Sequence, residues 1–363
     1  MYGQSRETDL CMNGRIALFR ISSLAPAVLS ALFSLTAASA AEMTSHEKEL
    51  YEAAKPEGAV TWYVSQFNTE DADSVCRLFE KRYADLRCEA IRATGQVIYQ
   101  RLMQDISAGV VQADVLSTND GAQMVELKRI DRLVEYNPEN LEHMAASIRQ
   151  FGEPGYWFTT SVAPYAIGYN TNLVSEEEAP RNWTDLLDPK WKDQIAIPHP
   201  GFSGSAGTWV IAMRDLYGWD FFEKLEANKP QIGRSVSDGA NLIVSGERKI
   251  AVVPANRAAV DAHNGAPVKP VYPTDGLVLA PGSTGLLAGA PHPNAAKLFA
   301  EFLLGPEVSE YYAGDQRFPL RADVPAPESL VPLADLKLIM VPDTKVVSDL
   351  PEAQTKFRDI FGI

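Results

Sequence analysis

From Ala59 onward the chain alternates between short apolar runs of strand length and amphipathic runs of helix length. Val60, Trp62 and Val64 alternate within 59–65, the period of a strand, while Val75, Leu78, Phe79 and Tyr83 recur at helical spacing within 73–83. A strand over 88–93, a helix over 96–108, a strand over 114–117 and a helix over 121–128 repeat the unit. Strands joined by helices cannot pair as hairpins, so the pattern predicts an α/β fold with a mostly parallel sheet flanked by helices. The extended, aromatic-rich stretch 161–169 reads as a crossover into a second alternation. There a strand over 194–197 leads to a long helix carrying Trp209, Met213 and Leu216, followed by a helix over 238–245, a strand over 250–253 and a helix over 256–263. A return strand over 276–288 and an amphipathic helix over 294–304 bring the chain back. With 363 residues, 46% of them hydrophobic, there is enough apolar material for two cores.

The formal net charge of −14 makes nucleic acid an unsuitable partner, because phosphate backbones are repelled, yet a local set of donors can still hold a small anion. At the N-terminus, Arg15 and Arg20 precede an apolar run from Ile21 to Leu35, then Ala38-Ser39-Ala40. These are the parts of a secretory signal peptide over 1–40, with translation starting at Met1 or Met12. The other reading is a membrane anchor, for which the run is short and interrupted by Pro26. A signal peptide places the remaining chain in the periplasm, where Cys76 and Cys88 can form a disulfide; the alternative is two buried thiols. The cysteines and histidines show no metal-ligand spacing, and no cofactor motif is present.

Several stretches carry a resemblance to a known family. They are Val60-Thr61-Trp62-Tyr63-Val64-Ser65, Ile167-Gly168-Tyr169-Asn170-Thr171, the block from Asn182 to Lys192 with Ile195-Ala196-Ile197-Pro198, then His292 to Lys297 and Phe318-Pro319-Leu320-Arg321. Together they resemble the type II periplasmic solute-binding proteins of ABC transporters, in the branch of ferric-iron and organic-anion binders. That resemblance implies two α/β lobes, 41–163 with 277–363 and 164–276, joined by two crossover strands that act as a hinge. It implies a monomer that gives its ligand to the permease subunits of an importer and performs no catalysis. In the iron-binding relatives two adjacent tyrosines follow the strand corresponding to 250–253; here the residues are Pro254-Ala255-Asn256-Arg257. Iron(III) prefers phenolate and carboxylate oxygen and is repelled by a guanidinium. Ferric iron is therefore the weaker alternative, and the adjacent Tyr311-Tyr312 read as packing residues in a C-terminal helix.

Ligands in open α/β sheets sit beyond the carboxyl ends of strands. The expected site is accordingly Ser65 and Gln66 after the first strand, Thr94 and Gly95 after the second, and Thr118 and Asn119 after the third. In the second lobe it adds Ser203, Ser205, Ala206 and Gly207 at the start of the long helix, with Asn256 and Arg257. Helix N-termini offer unpaired N–H groups and partial positive charge, and Arg257 offers a forked donor, so the ligand is expected to be a phosphate-, phosphonate-, sulfonate- or carboxylate-bearing molecule. Each residue also has a purely structural reading. The serines can cap a helix, Thr94-Gly95 can be a turn, and Arg257 can pair with Asp261 on the surface. Arg234 with Ser235 and Ser237 can reach the cleft but reads rather as a solvated loop, and Asp120 and Asp275 lie near the rims, where an acid can meet a ligand amine. Catalysis finds little support: 201–207 resembles a nucleophile elbow, but Ser205 stands where the last glycine is required. A sensing role beside a membrane receptor is the other alternative.

Overall fold

The computed structural model describes residues 42–363. The expected signal peptide and its flanks, including Cys11, lie outside them. In chain order the elements are α1 (Ser45–Ala54), β1 (Ala59–Val64), α2 (Thr69–Arg82), β2 (Arg87–Arg92), α3 (Gly95–Ser107), β3 (Val115–Thr118), α4 (Gly121–Arg129), α5 (Ala146–Arg149) and β4 (Trp157–Asn170). Next come β5 (Ile195–Pro198), α6 (Gly204–Tyr217), α7 (Asp220–Glu226), β6 (Gln231–Gly233), α8 (Val236–Val244), β7 (Ile250–Pro254), α9 (Ala255–His263) and β8 (Val268–Val271). The chain finishes with β9 (Leu277–Leu286), α10 (Pro293–Leu303), α11 (Pro306–Gly314), β10 (Leu338–Met340) and α12 (Asp343–Phe361).

The strands form one sheet in the order β2-β1-β3-β9-β4-β7-β5-β6, with β10 added to β9 and β8 to β4. Its two ends are parallel, β1 with β2 and β3, and β5 with β6 and β7. The centre is antiparallel, where the long strands β4 and β9 pair from Trp157↔Gly285 to Tyr165↔Val278. These are the two crossovers expected from sequence. Their ladder shifts register between Thr159 and Ser161, the kind of irregularity that bends a strand pair.

Alternation along β1 sends side chains to opposite faces. Val60, Trp62 and Val64 enter one core with Phe79, Phe299 and Phe302, and Tyr63 enters another with Ile98, Leu102, Leu116 and Leu127. Trp62 meets Phe299 edge-on with ring centroids 5.2 Å apart. Emptying such a site, as in Phe299→Ala, costs about 3–5 kcal/mol. Around β5 and α6 a separate core gathers Trp183, Trp209, Phe221 and Phe222. Cys76 of α2 and Cys88 of β2 are joined in a disulfide, their Cα atoms 5.2 Å apart. Tyr312 is buried and donates to the Thr160 carbonyl at 3.0 Å, and Tyr311 donates to Asp71; both are packing residues, as expected.

Val346, Ala353 and Phe357 of α12 pack into the core built on Trp183 and Trp209, away from the first-lobe core to which the resemblance alone allots 277–363. The helix is fastened there by Arg214 of α6, which pairs with Asp349 at 2.5 Å. Its first residue reaches the other way, Asp343 Oδ2 accepting from Trp157 Nε1 at 3.1 Å. Nothing near residue 343 in sequence signals this packing.

Candidate functional site

The carboxyl ends of β1, β2, β3 and β5 open on a common cleft of about 210 Å³. On one side it is lined by Ser65, Arg92, Thr94, Gly95, Gln96, Thr118, Asn119, Asp120 and Gln123. The facing side consists of 200–204 ahead of α6, with Ser235 and Ser237 at the start of α8. Leu350 and Gln354 of α12 complete the lining. The two sides touch. Gln96 Nε2 donates to the Gly201 carbonyl at 3.3 Å, and a Cβ placed on Gly204 would lie 2.9 Å from the Asn119 carbonyl oxygen.

Four helices begin at this cleft. The N-cap of α3 is Thr94 and that of α6 is Ser203, and neither side chain bonds to the first-turn N–H groups. The first turns of α3 and α6 therefore lack a side-chain cap, at the positive end of each helix. Asp120 caps α4 by accepting from Ala122 N, and Ser235 caps α8 in a capping box with Asp238. Fixed cationic charge comes from Arg92 at the end of β2. Its Nε donates to the Phe67 carbonyl at 3.0 Å, and among the described residues it has no carboxylate partner.

The first-side loops are braced from within. Thr118 Oγ1 donates to Gln123 Oε1 at 2.8 Å and accepts from Asp120 N at 3.1 Å, while Gln123 Nε2 donates to the Gly95 carbonyl at 3.2 Å. Gln123 thereby ties the start of α3 to the end of β3. Burial pushes the Asp120 carboxyl above the usual carboxylate range, and the charge of nearby Asp343 adds to the rise. The Asp343 carboxyl is raised by burial too. Among the described residues no basic side chain offsets Asp120.

Of the residues expected at the site, Ser65, Thr94, Gly95, Thr118, Asn119 and Ser203 line the cleft. The others stand elsewhere. Gln66 turns into the sheet, donating to the Ser283 carbonyl at 3.1 Å and accepting from Ser161 Oγ at 2.5 Å. Ser205 is buried one layer behind the surface, bonded to Tyr165 and Ser203. Ala206 is fully buried, and Gly207 spends its N–H on the Ser203 carbonyl while Leu350 packs over it. Asn256 and Arg257 are outside the lining. Arg257 Nε donates to Asp261 Oδ2 at 2.8 Å and its Nη2 to Asn241 Oδ1 at 3.3 Å. The i,i+4 pair on the helix surface holds the guanidinium there.

The sequence gives no motif that marks Arg92, Gln96, Gln123, Leu350 and Gln354 as cleft residues. Arg92 was within reach, since it ends the same strand whose loop supplies Thr94 and Gly95. Ser235 and Ser237 were set aside as solvated. Leu350 and Gln354 carry no local signal, because their place depends on how α12 docks.

Residues 113–343 match the family model described as bacterial extracellular solute-binding protein. A Haemophilus influenzae protein of uncharacterised role is 29% identical over 201 residues, covering 52% of this chain and 56% of that one, so the match spans little more than half of that relative. A Salmonella paratyphi A periplasmic protein named for 2-aminoethylphosphonate binding is 28% identical over 287 residues, 74% of this chain and 77% of its own length. Among solved structures, the periplasmic binding protein AfuA of Actinobacillus pleuropneumoniae, with fructose-6-phosphate bound, aligns with a TM-score of 0.74 at 22% identity, over 84% of this chain and 99% of that one. Iron-bound HitA from Pseudomonas aeruginosa aligns with a TM-score of 0.70 at 19% identity, over 83% and 99%. At such identities the two structures speak to the fold alone.

Proposed function

The chain belongs to the bacterial extracellular solute-binding proteins, and from that premise we propose that it captures a small organic anion in this cleft and passes it to the permease subunits of an ABC importer. The observation that carries the reading is the convergence of four helix N-termini on one cleft with an arginine that has no carboxylate partner among the described residues. Uncapped amides at α3 and α6 supply directed donors, and the Arg92 guanidinium supplies the charge. A volume of 210 Å³ is below the ~300–1,000 Å³ of drug-sized pockets, which suits a small metabolite.

Asp120 narrows the class. A cleft of donors that also contains a half-buried carboxylate, with no cation beside it among the described residues, favours a ligand carrying an amine as well as an acid, since an ammonium group would relieve the desolvation of Asp120. The relative named for 2-aminoethylphosphonate, a molecule with both groups, supports this. Iron(III) is served poorly: no tyrosine lines the cleft, and phenolate is the donor such an ion prefers.

In this reading the regions on either side of β4 and β9 are lobes that swing about those strands. The ligand bridges them and selects the closed form, which the importer recognises. Export to the periplasm follows from the signal peptide expected over 1–40. The test is a thermal-shift screen of phosphorylated, phosphonate, sulfonate and carboxylate metabolites against the protein, with ferric iron in parallel. Only a molecule that binds the native state raises the melting temperature. Stabilisation by an anion is expected; stabilisation by iron alone would overturn the reading.

A further inference from the structure

Behind the cleft surface runs a short chain of hydroxyl groups. Tyr165, on the crossover strand β4 opposite Val278 of β9, is fully buried. Its phenol lies 3.0 Å from Ser205 Oγ, and Ser205 Oγ lies 2.8 Å from Ser203 Oγ. Ser203 is the N-cap of α6 and lines the cleft. We propose that Tyr165 is a positioning residue, which through Ser205 makes the Ser203 hydroxyl an obligate hydrogen-bond donor to the ligand.

The number of protons fixes the direction of the chain. Each of the three hydroxyls has one proton to donate and lone pairs to accept with. Among the described residues the phenol makes its one hydrogen bond to Ser205. Suppose the order ran inward, Ser203 donating to Ser205 and Ser205 to Tyr165. The phenolic proton would then be buried without an acceptor, a penalty that native structures avoid. The outward order leaves no such group. Tyr165 donates to Ser205, Ser205 donates to Ser203, and the proton of Ser203 points into the cleft. Burial pushes the phenol well above its ordinary pKa, so it keeps its proton at any physiological pH.

The consequence is selectivity for acceptors. The Ser203 hydroxyl and the uncapped amides at the start of α6 become donors converging on one ligand oxygen, whereas a freely rotating serine would serve a donor equally well. Tyr165 touches no ligand itself. The inference rests on the anion reading of the cleft, which supplies the acceptor.

The test is calorimetric titration of the wild-type protein, Tyr165→Phe, Ser205→Ala, Ser203→Ala and the Tyr165→Phe/Ser203→Ala double variant, using 2-aminoethylphosphonate and inorganic phosphate as probes. Tyr165→Phe and Ser205→Ala are each expected to weaken binding about threefold to tenfold, and Ser203→Ala about tenfold, in line with the loss of one hydrogen bond. The double variant is expected to bind no more weakly than Ser203→Ala, because Tyr165 acts only through that hydroxyl. Additive losses, or an unchanged affinity in Tyr165→Phe while Ser203→Ala is weakened, would overturn the relay and leave the anion reading standing. Absence of binding by the wild type to both probes would overturn the phosphate and phosphonate form of the anion reading and the relay with it. If Tyr165→Phe fails to fold, Ser205→Ala combined with Ser203→Ala decides by the same additivity criterion.

Discussion

Helices α6 and α9 begin under nearly the same circumstances and end up with different tasks. Each follows a strand of the same parallel pair, β5 or β7, matched at Ile195↔Ile250 and Ala196↔Ala251. Between β5 and α6 the chain makes an excursion over 199–203, and Ser203 and Gly204 arrive at the cleft. Between β7 and α9 there is no excursion: Pro254 ends the strand and Ala255 begins the helix. Ala255, Ala258 and Ala259 are then buried, and Arg257 is left on the flank with Asp261 and Asn241. A helix N-terminus at the carboxyl edge of a sheet serves a ligand only when its connection carries it to the cleft wall.

The largest effect expected from this comparison concerns two arginines. Arg92→Ala should weaken anion binding about tenfold to a hundredfold, the usual loss for a charge-assisted hydrogen bond. Arg257→Ala should leave the dissociation constant within about twofold, since its partners are structural. Calorimetry on the two variants side by side decides, and the reverse ranking would break the comparison.

Next in size is Gly204→Ala at the start of α6. The added methyl group meets the Asn119 backbone carbonyl from the opposite side of the cleft. Backbone yields less readily than a side-chain end, so closure should be hindered and affinity lowered about fivefold to tenfold. Small-angle scattering with saturating ligand should then report a more open molecule than the wild type.

A smaller effect concerns Asp120. Its carboxyl is raised in the folded protein by burial and by Asp343, so the folded state disfavours the ionised form. The penalty is fully present above the folded pKa and is relieved as pH falls through it toward the unfolded value of 3.8. Asp120→Asn, which can still cap α4, should raise the ligand-free melting temperature by about 2 °C at neutral pH. The gain should vanish on acidification below the unfolded value. Asp238 at the start of α8 has the opposite sign, held below its ordinary value by the Ser235 hydroxyl and the Arg234 and Ser235 amides. Its contribution is present above 3.8 and is lost as pH falls through the depressed value. Melting curves of Asp120→Asn and Asp238→Ala against pH should therefore diverge in direction.

Least disturbed of all should be Gly207→Ala. The new methyl group runs into Leu350 Cδ1, the free end of a flexible side chain, and the strain opposes a helix-propensity gain of up to ~1 kcal/mol. A melting temperature within about 2 °C of wild type is expected.

The first-side loops were readable because alternation and turn chemistry mark where β1, β2 and β3 stop. The two crossover strands were readable for similar local reasons, whereas the disulfide was expected from the export signal and left open against two buried thiols. Gln66 shows the limit of that method. It sits at a strand end like Ser65, yet its amide is drawn to Ser161, Ser283 and Thr284, which are distant in sequence. For Arg257 the spacing to Asp261 already contained the structural reading, whereas its promotion to the site rested on correspondence with tyrosines in other proteins. The α12 wall was beyond reach, since Leu350 and Gln354 enter the cleft only through tertiary packing on α6.

The most direct test of the account is a crystal structure grown with 2-aminoethylphosphonate or inorganic phosphate. The account predicts an anion oxygen within hydrogen-bond distance of the first-turn amides of α6, the Ser203 hydroxyl and the Arg92 guanidinium. An anion seated instead on Arg257, or a metal ion in the cleft, would contradict it.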